Sequence, residues 1–189
     1  MVGWSGLAYA IMVVVSVVVT IGFAASVMST AMKAGQAPVS TGTPIVPQIV
    51  SLITNLVFIW MLYGVANFLS KVRNASAVMP ITLVIIVIVI LEVIGSFAGF
   101  GGASCNVTGI MAIIMVVLMI AKGVLLILLG VKALAGGSGA WKAFGILVII
   151  AGALSAIIVG LIIAPFVWIA AGIVLMVAAF GSAKAPAAA

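Results

Sequence analysis

The sequence contains no histidine, one acidic residue and one cysteine. Charged side chains make up 4% of its 189 residues, against roughly 25% in soluble domains. A soluble globule of this size needs a polar shell, and seven Lys and Arg with one Glu cannot supply it. The same shortage excludes intrinsic disorder, because disordered chains are rich in charge and poor in hydrophobics, whereas 68% of this chain is apolar. An integral membrane protein is the class that remains.

These absences also limit the chemistry. General acid–base catalysis draws on His or on paired carboxylates, and Glu92 stands alone. Zinc needs three or four His, Cys or carboxylate ligands, and haem needs His or a Cys-x-x-Cys-His run. No glycine-rich phosphate loop follows a strand pattern. A single Cys105 cannot form an internal disulfide. The expectation is a chain that is not an enzyme and holds no cofactor. A net charge of +6 would suit nucleic acid. Here, however, the basic residues punctuate apolar runs instead of gathering on one face, which is the pattern of membrane topology signals. Nucleic acid is therefore not an expected partner.

What the sequence does have is apolar runs of spanning length, each close to the roughly 20 residues that cross a bilayer. The first covers 6–32 and is too long for a signal-peptide core. A stretch with Pro38, Pro44 and Pro47 follows and reads as a loop. The next runs cover 49–70, 80–100 and 107–134, with Pro80 suited to a first helical turn. The uncharged run 144–181 would reach about 57 Å as one helix, nearly twice the hydrocarbon thickness. A turn near Pro165 divides it into spans at 143–162 and 165–181. The expected fold is all-α, a polytopic transmembrane helix bundle of six spans forming a single integral membrane domain over 1–189. With six spans, Lys71, Arg73, Lys132, Lys142 and Lys184 fall on one side, against Lys33 on the other. The positive-inside rule then puts both termini in the cytoplasm of a multi-pass protein of the cell membrane. Trp141, Phe97, Phe100, Phe166 and Trp168 sit where aromatic belts are expected, and Trp60 and Tyr63 read as packing residues.

Two charges lie inside the spans. Glu92 is about 17 Å beyond Ile81, and Lys122 is about 15 Å before Lys132. On consecutive antiparallel helices both reach the same depth, which predicts a Glu92–Lys122 ion pair. Such a pair serves either as a gate, proton relay or ion site, or as a structural lock on helix register. Thr54, Asn55 and Ser96 offer a polar track towards it, or ordinary interhelical hydrogen bonds. Gly152, Ala156 and Gly160 form a ladder of small residues that should meet another helix, with Gly172 as a candidate opposite.

Asn106-Val107-Thr108 is a glycosylation sequon in an expected outer turn. Met111, Met115 and Met119 share one helix face and offer either a Cu(I) path or adaptable packing. In that one motif the run resembles copper transporters of the three-helix class. The low Gln and Asn content points to a thermophilic, archaeal source, and ten Met point the other way.

The leading functional expectation is a non-catalytic structural or accessory subunit of a larger membrane assembly, such as a respiratory or other energy-transducing complex. Its expected partners are the lipid bilayer and other membrane subunits, or further copies of itself. The alternative is a small channel or transporter with the Glu92–Lys122 pair in its path, and the third is a viral envelope membrane protein.

Overall fold

The structure, a computed structural model, describes residues 2–34, 45–73, 75, 77–98, 105–135, 139–157 and 163–183. These form six helices: α1 (Val2–Ala34), α2 (Ile45–Arg73), α3 (Val78–Ala98), α4 (Cys105–Ala135), α5 (Ala140–Ala156) and α6 (Ala164–Ala183). Within hydrocarbon every backbone polar group must be satisfied inside its own segment, so long apolar runs free of interior proline become helices. Five of the six are long and apolar enough to span a bilayer. With 17 residues, α5 extends about 26 Å and sits at the lower limit for a span. The chain is thus an all-α, multi-pass membrane protein.

One proline fixes a helix boundary differently from the sequence reading: Pro47, expected in the loop, is the third residue of α2. Pro165, at the start of the expected span 165–181, is the second residue of α6. In a first turn the backbone N–H has no intrahelical partner, so proline costs nothing there. The break before α6 comes earlier, at Ile157, whose backbone is extended (φ −112°, ψ 125°). The fifth helix therefore ends six residues before the expected 162. At the other end of α5, Gly139 takes a positive φ of 53° and its carbonyl accepts the N–H of Lys142 at 3.1 Å. A left-handed residue of this kind is cheap only for glycine.

Each helix packs on its neighbours in chain order, and α1 closes the ring against α6. The helices alternate in direction. One end of the bundle, here the lower, carries Val2, Arg73, Val78, Ala135, Ala140 and Ala183, and the upper carries the opposite termini. The α4–α5 and α1–α6 pairs pack through reciprocal glycines. A Cβ on Gly123 would lie 2.6 Å from the Gly152 carbonyl oxygen, and one on Gly130 would lie 2.7 Å from that of Gly145. A Cβ on Gly6 would lie 2.7 Å from the Gly172 oxygen. Small residues permit this backbone approach where lipid supplies no hydrophobic drive between helices.

The lower half of the ring is solid. Leu62, Ile85, Leu129, Phe144, Val148 and Leu175, from α2 to α6, have no exposed surface. The outer surface is apolar: no more than a third of any span's residues are buried, and Val18, Ile21, Ile113 and Phe166 are each over 60% exposed. An apolar surface of that extent is stable only against lipid.

The aromatic assignments change. Trp141 stacks on Phe68 at 4.6 Å and Trp168 packs edge-on to Tyr9 and Phe58, so both are interior and not belt residues. Trp60 and Tyr63, expected to pack, face outward. The reason is helical phase: α2 buries Phe58, Met61, Leu62, Val65 and Leu69, and residues 60 and 63 fall on the opposite face. Phe97 and Phe100 lie outside the residues whose side chains are described.

Thr82 is fully buried in α3, and among the described residues its hydroxyl is the one buried side-chain polar atom with no partner. A buried unsatisfied hydroxyl is a cost that an apolar isostere removes. Thr82→Val should therefore leave stability unchanged or raise it by up to about 1 kcal/mol, read as the midpoint of thermal unfolding in detergent.

Candidate functional site

Away from the helix ends, the only charges of the described residues meet between α3 and α4. Lys122 Nζ donates to Glu92 Oε2 at 2.5 Å. Glu92 stands about 21 Å above the lower end of α3 at Val78, and Lys122 about 20 Å above the lower end of α4 at Ala135. Antiparallel packing of consecutive helices brings the two to one depth. Their side chains keep 17% and 20% exposure, because both border a cavity within the bundle.

Two adjoining recesses meet at the pair, with Asn55 and Lys122 lining both. The larger one holds about 300 Å³ and is lined by Ser51 and Asn55 of α2, Glu92 and Val93 of α3, and Met115, Met119 and Lys122 of α4. The smaller one holds about 100 Å³ and adds Tyr9 of α1, Thr54 and Phe58 of α2, Leu126 of α4, Ser155 of α5 and Trp168 of α6. The larger volume equals on the order of ten waters. Beside the pair, at nearly the same depth, Tyr9, Phe58 and Trp168 pack with ring centroids 5.1–5.8 Å apart and line the smaller recess. The solid lower core lies beneath that cluster.

The uncharged polar groups are held by their own helices. Thr54 donates to the Val50 carbonyl at 2.8 Å, Asn55 Nδ2 to the Ser51 carbonyl at 3.0 Å, and Ser155 to the Ala151 carbonyl at 2.7 Å. Such back-bonding satisfies a hydroxyl or amide in an apolar span and keeps its remaining hydrogen-bonding capacity available to the cavity.

Of the expected site residues, the structure brings Glu92, Lys122, Asn55, Met115 and Met119 to the larger recess, and Thr54 with Asn55 and Lys122 to the smaller. Met115 also lies over Gly95, whose Cβ would come 3.0 Å from the thioether sulfur. Ser96, Asn106 and Met111 are helical by backbone, and their side chains lie outside the described residues. Asn106 is the second residue of α4 and not part of the expected turn. In the small-residue ladder, Gly152 meets Gly123 of α4 and Ala156 packs against Gly123 as well. Gly172 is not opposite the ladder: it meets Gly6 of α1. Gly160 lies outside the described residues.

Ser51, Ser155 and Tyr9 were not anticipated as cavity residues. The signal for Ser51 was its place one turn before Asn55, and for Ser155 its place three residues beyond Gly152 on the same face. Among the described residues no three His, Cys, Asp or Glu gather as metal ligands. The arrangement offers one fixed negative charge, one fixed positive charge, neutral hydrogen-bonding groups and thioether-lined apolar surface. Comparison with known proteins returns no relative: no family model, no curated protein and no solved structure matches the chain.

Proposed function

We propose that this chain is a non-catalytic membrane protein of carrier type, whose charge-lined polar recesses take up a small solute. One observation carries the reading: polar side chains from α1, α2 and α5 gather around Lys122 in one recess, and Ser51, Asn55 and Glu92 gather around it in the adjoining one. A structural lock on helix register requires the pair alone. It does not require Thr54 and Ser155 to line one recess beside Lys122 and Ser51 to line the other, with Asn55 shared between them. Lys71, Lys132 and Lys142 are exposed at the lower end, where Arg73 also ends α2. By the positive-inside rule the lower end is cytoplasmic, with both termini inside and α5 as a sixth crossing.

The test is counterflow. Liposomes containing the purified chain are preloaded with a mixture of small cellular solutes, and exchange is followed by mass spectrometry alongside ionic conductance. Exchange of a small polar solute above that of empty liposomes is expected, with conductance no higher than the lipid background. A steady ion conductance that Glu92→Gln abolishes would replace the carrier with a channel.

The accessory-subunit reading keeps one supporting observation. Beyond Val17, α1 presents Val18, Ile21 and Gly22 outward, and nothing else in the described chain lies within 4 Å of where a Gly22 Cβ would stand. Gentle extraction from the native membrane that yields a particle with additional subunits would favour it.

A further inference from the structure

Granted a solute-binding cavity as proposed above, its charges restrict what the solute can be. Glu92 and Lys122 both line the larger recess and share it with Val93, Met115 and Met119. A cation bound at Glu92 would draw the carboxylate away from Lys122 and leave that ammonium uncompensated in a low-dielectric site. An anion bound at Lys122 would strand Glu92 in the same way. Unpaired charge at this depth is strongly disfavoured, so a singly charged ligand gains one contact by spoiling another. A ligand carrying both charges escapes this conflict. Its ammonium faces Glu92 while its carboxylate faces Lys122, and the two dipoles lie antiparallel with all four charges compensated.

The geometry points to a small α-zwitterion, that is, an amino acid with a short aliphatic side chain, as the ligand of the larger recess. The pair's charges are in direct contact at 2.5 Å, so the ligand's two charges must also be close together. An α-zwitterion, with one carbon between its ammonium and its carboxyl group, meets that demand. The volume of about 300 Å³ is at the small end for ligand pockets. Val93 and the two flexible thioethers form an apolar wall that adapts to a methyl or ethyl group. Asn55, between the recesses, supplies a neutral hydrogen-bonding group beside the charges.

The test is direct binding to the full chain in nanodiscs by calorimetric titration. The probes are L-alanine and 2-aminobutyrate, compared with ethylammonium (cation only) and propionate (anion only). Saturable binding of the two zwitterions is expected, at least tenfold tighter than either singly charged analogue. Two variants that keep the charge balance guard against misfolding. Glu92→Gln with Lys122→Met should lose binding at least tenfold, and Asn55→Leu should lose it by filling the junction. No binding of either zwitterion, equal binding of ethylammonium or propionate, or full binding by the double variant would each overturn the inference. The two proposals fail separately. Alanine binding without counterflow leaves the zwitterion site and removes the carrier, whereas counterflow of some other solute class without alanine binding leaves the carrier and removes the zwitterion.

Discussion

Lys122→Met should destabilise the protein by about 2–3 kcal/mol, and adding Glu92→Gln to it should recover most of that loss. The single variant leaves the Glu92 carboxylate without the ammonium that contacts it. An uncompensated charge in a span costs about 2.5–3.5 kcal/mol on insertion scales. Partial exposure to the cavity lowers that figure, because water and the Asn55 amide can solvate the stranded charge. The double variant removes both charges and retains side chains of similar length, so the cavity changes little in volume. The check is a double-mutant cycle on unfolding in a single detergent, which isolates the pairwise term. Interhelical hydrogen bonds in membranes average only about 0.6 kcal/mol, so a coupling above about 2 kcal/mol identifies an ion pair and not a mere contact. If the double variant is as unstable as the single, charge compensation is not what holds α3 against α4 at this depth.

The pair and the helices could be anticipated for the same reason. Hydrocarbon imposes a length on each segment and a penalty on each charge, and both act on the sequence one residue at a time. Glu92 and Lys122 could thus be matched by depth before any contact was known. The cavity around them could be anticipated only in part. Ser51, Ser155 and Tyr9 reach it from three different helices, and which face of each helix turns inward is decided by packing. Apolarity gives little help, because lipid-facing and core-facing residues are equally hydrophobic. The same limit explains why Trp60 and Tyr63 face outward while Trp141 and Trp168 are interior. It also explains the partner of the small-residue ladder. Spacing shows that Gly152 lies on a close-packing face, but the choice of α4 over α6 depends on Gly123, 29 residues away in sequence. Pro47 misled for a local reason, since a proline three residues inside a helix start looks the same in sequence as one in the preceding loop.

The reciprocal glycines should be the least replaceable residues outside the ion pair. Gly123→Ala places a Cβ 2.6 Å from the Gly152 carbonyl oxygen and 3.1 Å from the Ala156 nitrogen. Both neighbours are backbone atoms, which cannot rotate away, so α4 and α5 must separate. Overpacking of this kind costs about 1–3 kcal/mol for a small group, and Gly123→Leu should cost more and prevent the α4–α5 pair from forming. Gly152→Ala should behave alike, since its Cβ would come 2.7 Å from the Gly123 oxygen.

Helix propensity predicts the opposite sign, because Ala is favoured over Gly within a helix by about 0.8–1.0 kcal/mol. The two effects separate at Gly22 and Gly181, where a Cβ meets nothing within 4 Å. Gly22→Ala and Gly181→Ala should therefore be neutral or stabilising in the same unfolding assay that registers the loss at Gly123 and Gly152. Once either member of a reciprocal pair forces the backbones apart, the second Cβ finds room already made. Gly123→Ala with Gly152→Ala should then cost clearly less than the sum of the two single losses. Additive losses would mean that each methyl strains its own surroundings, and that close backbone approach is not what joins α4 to α5.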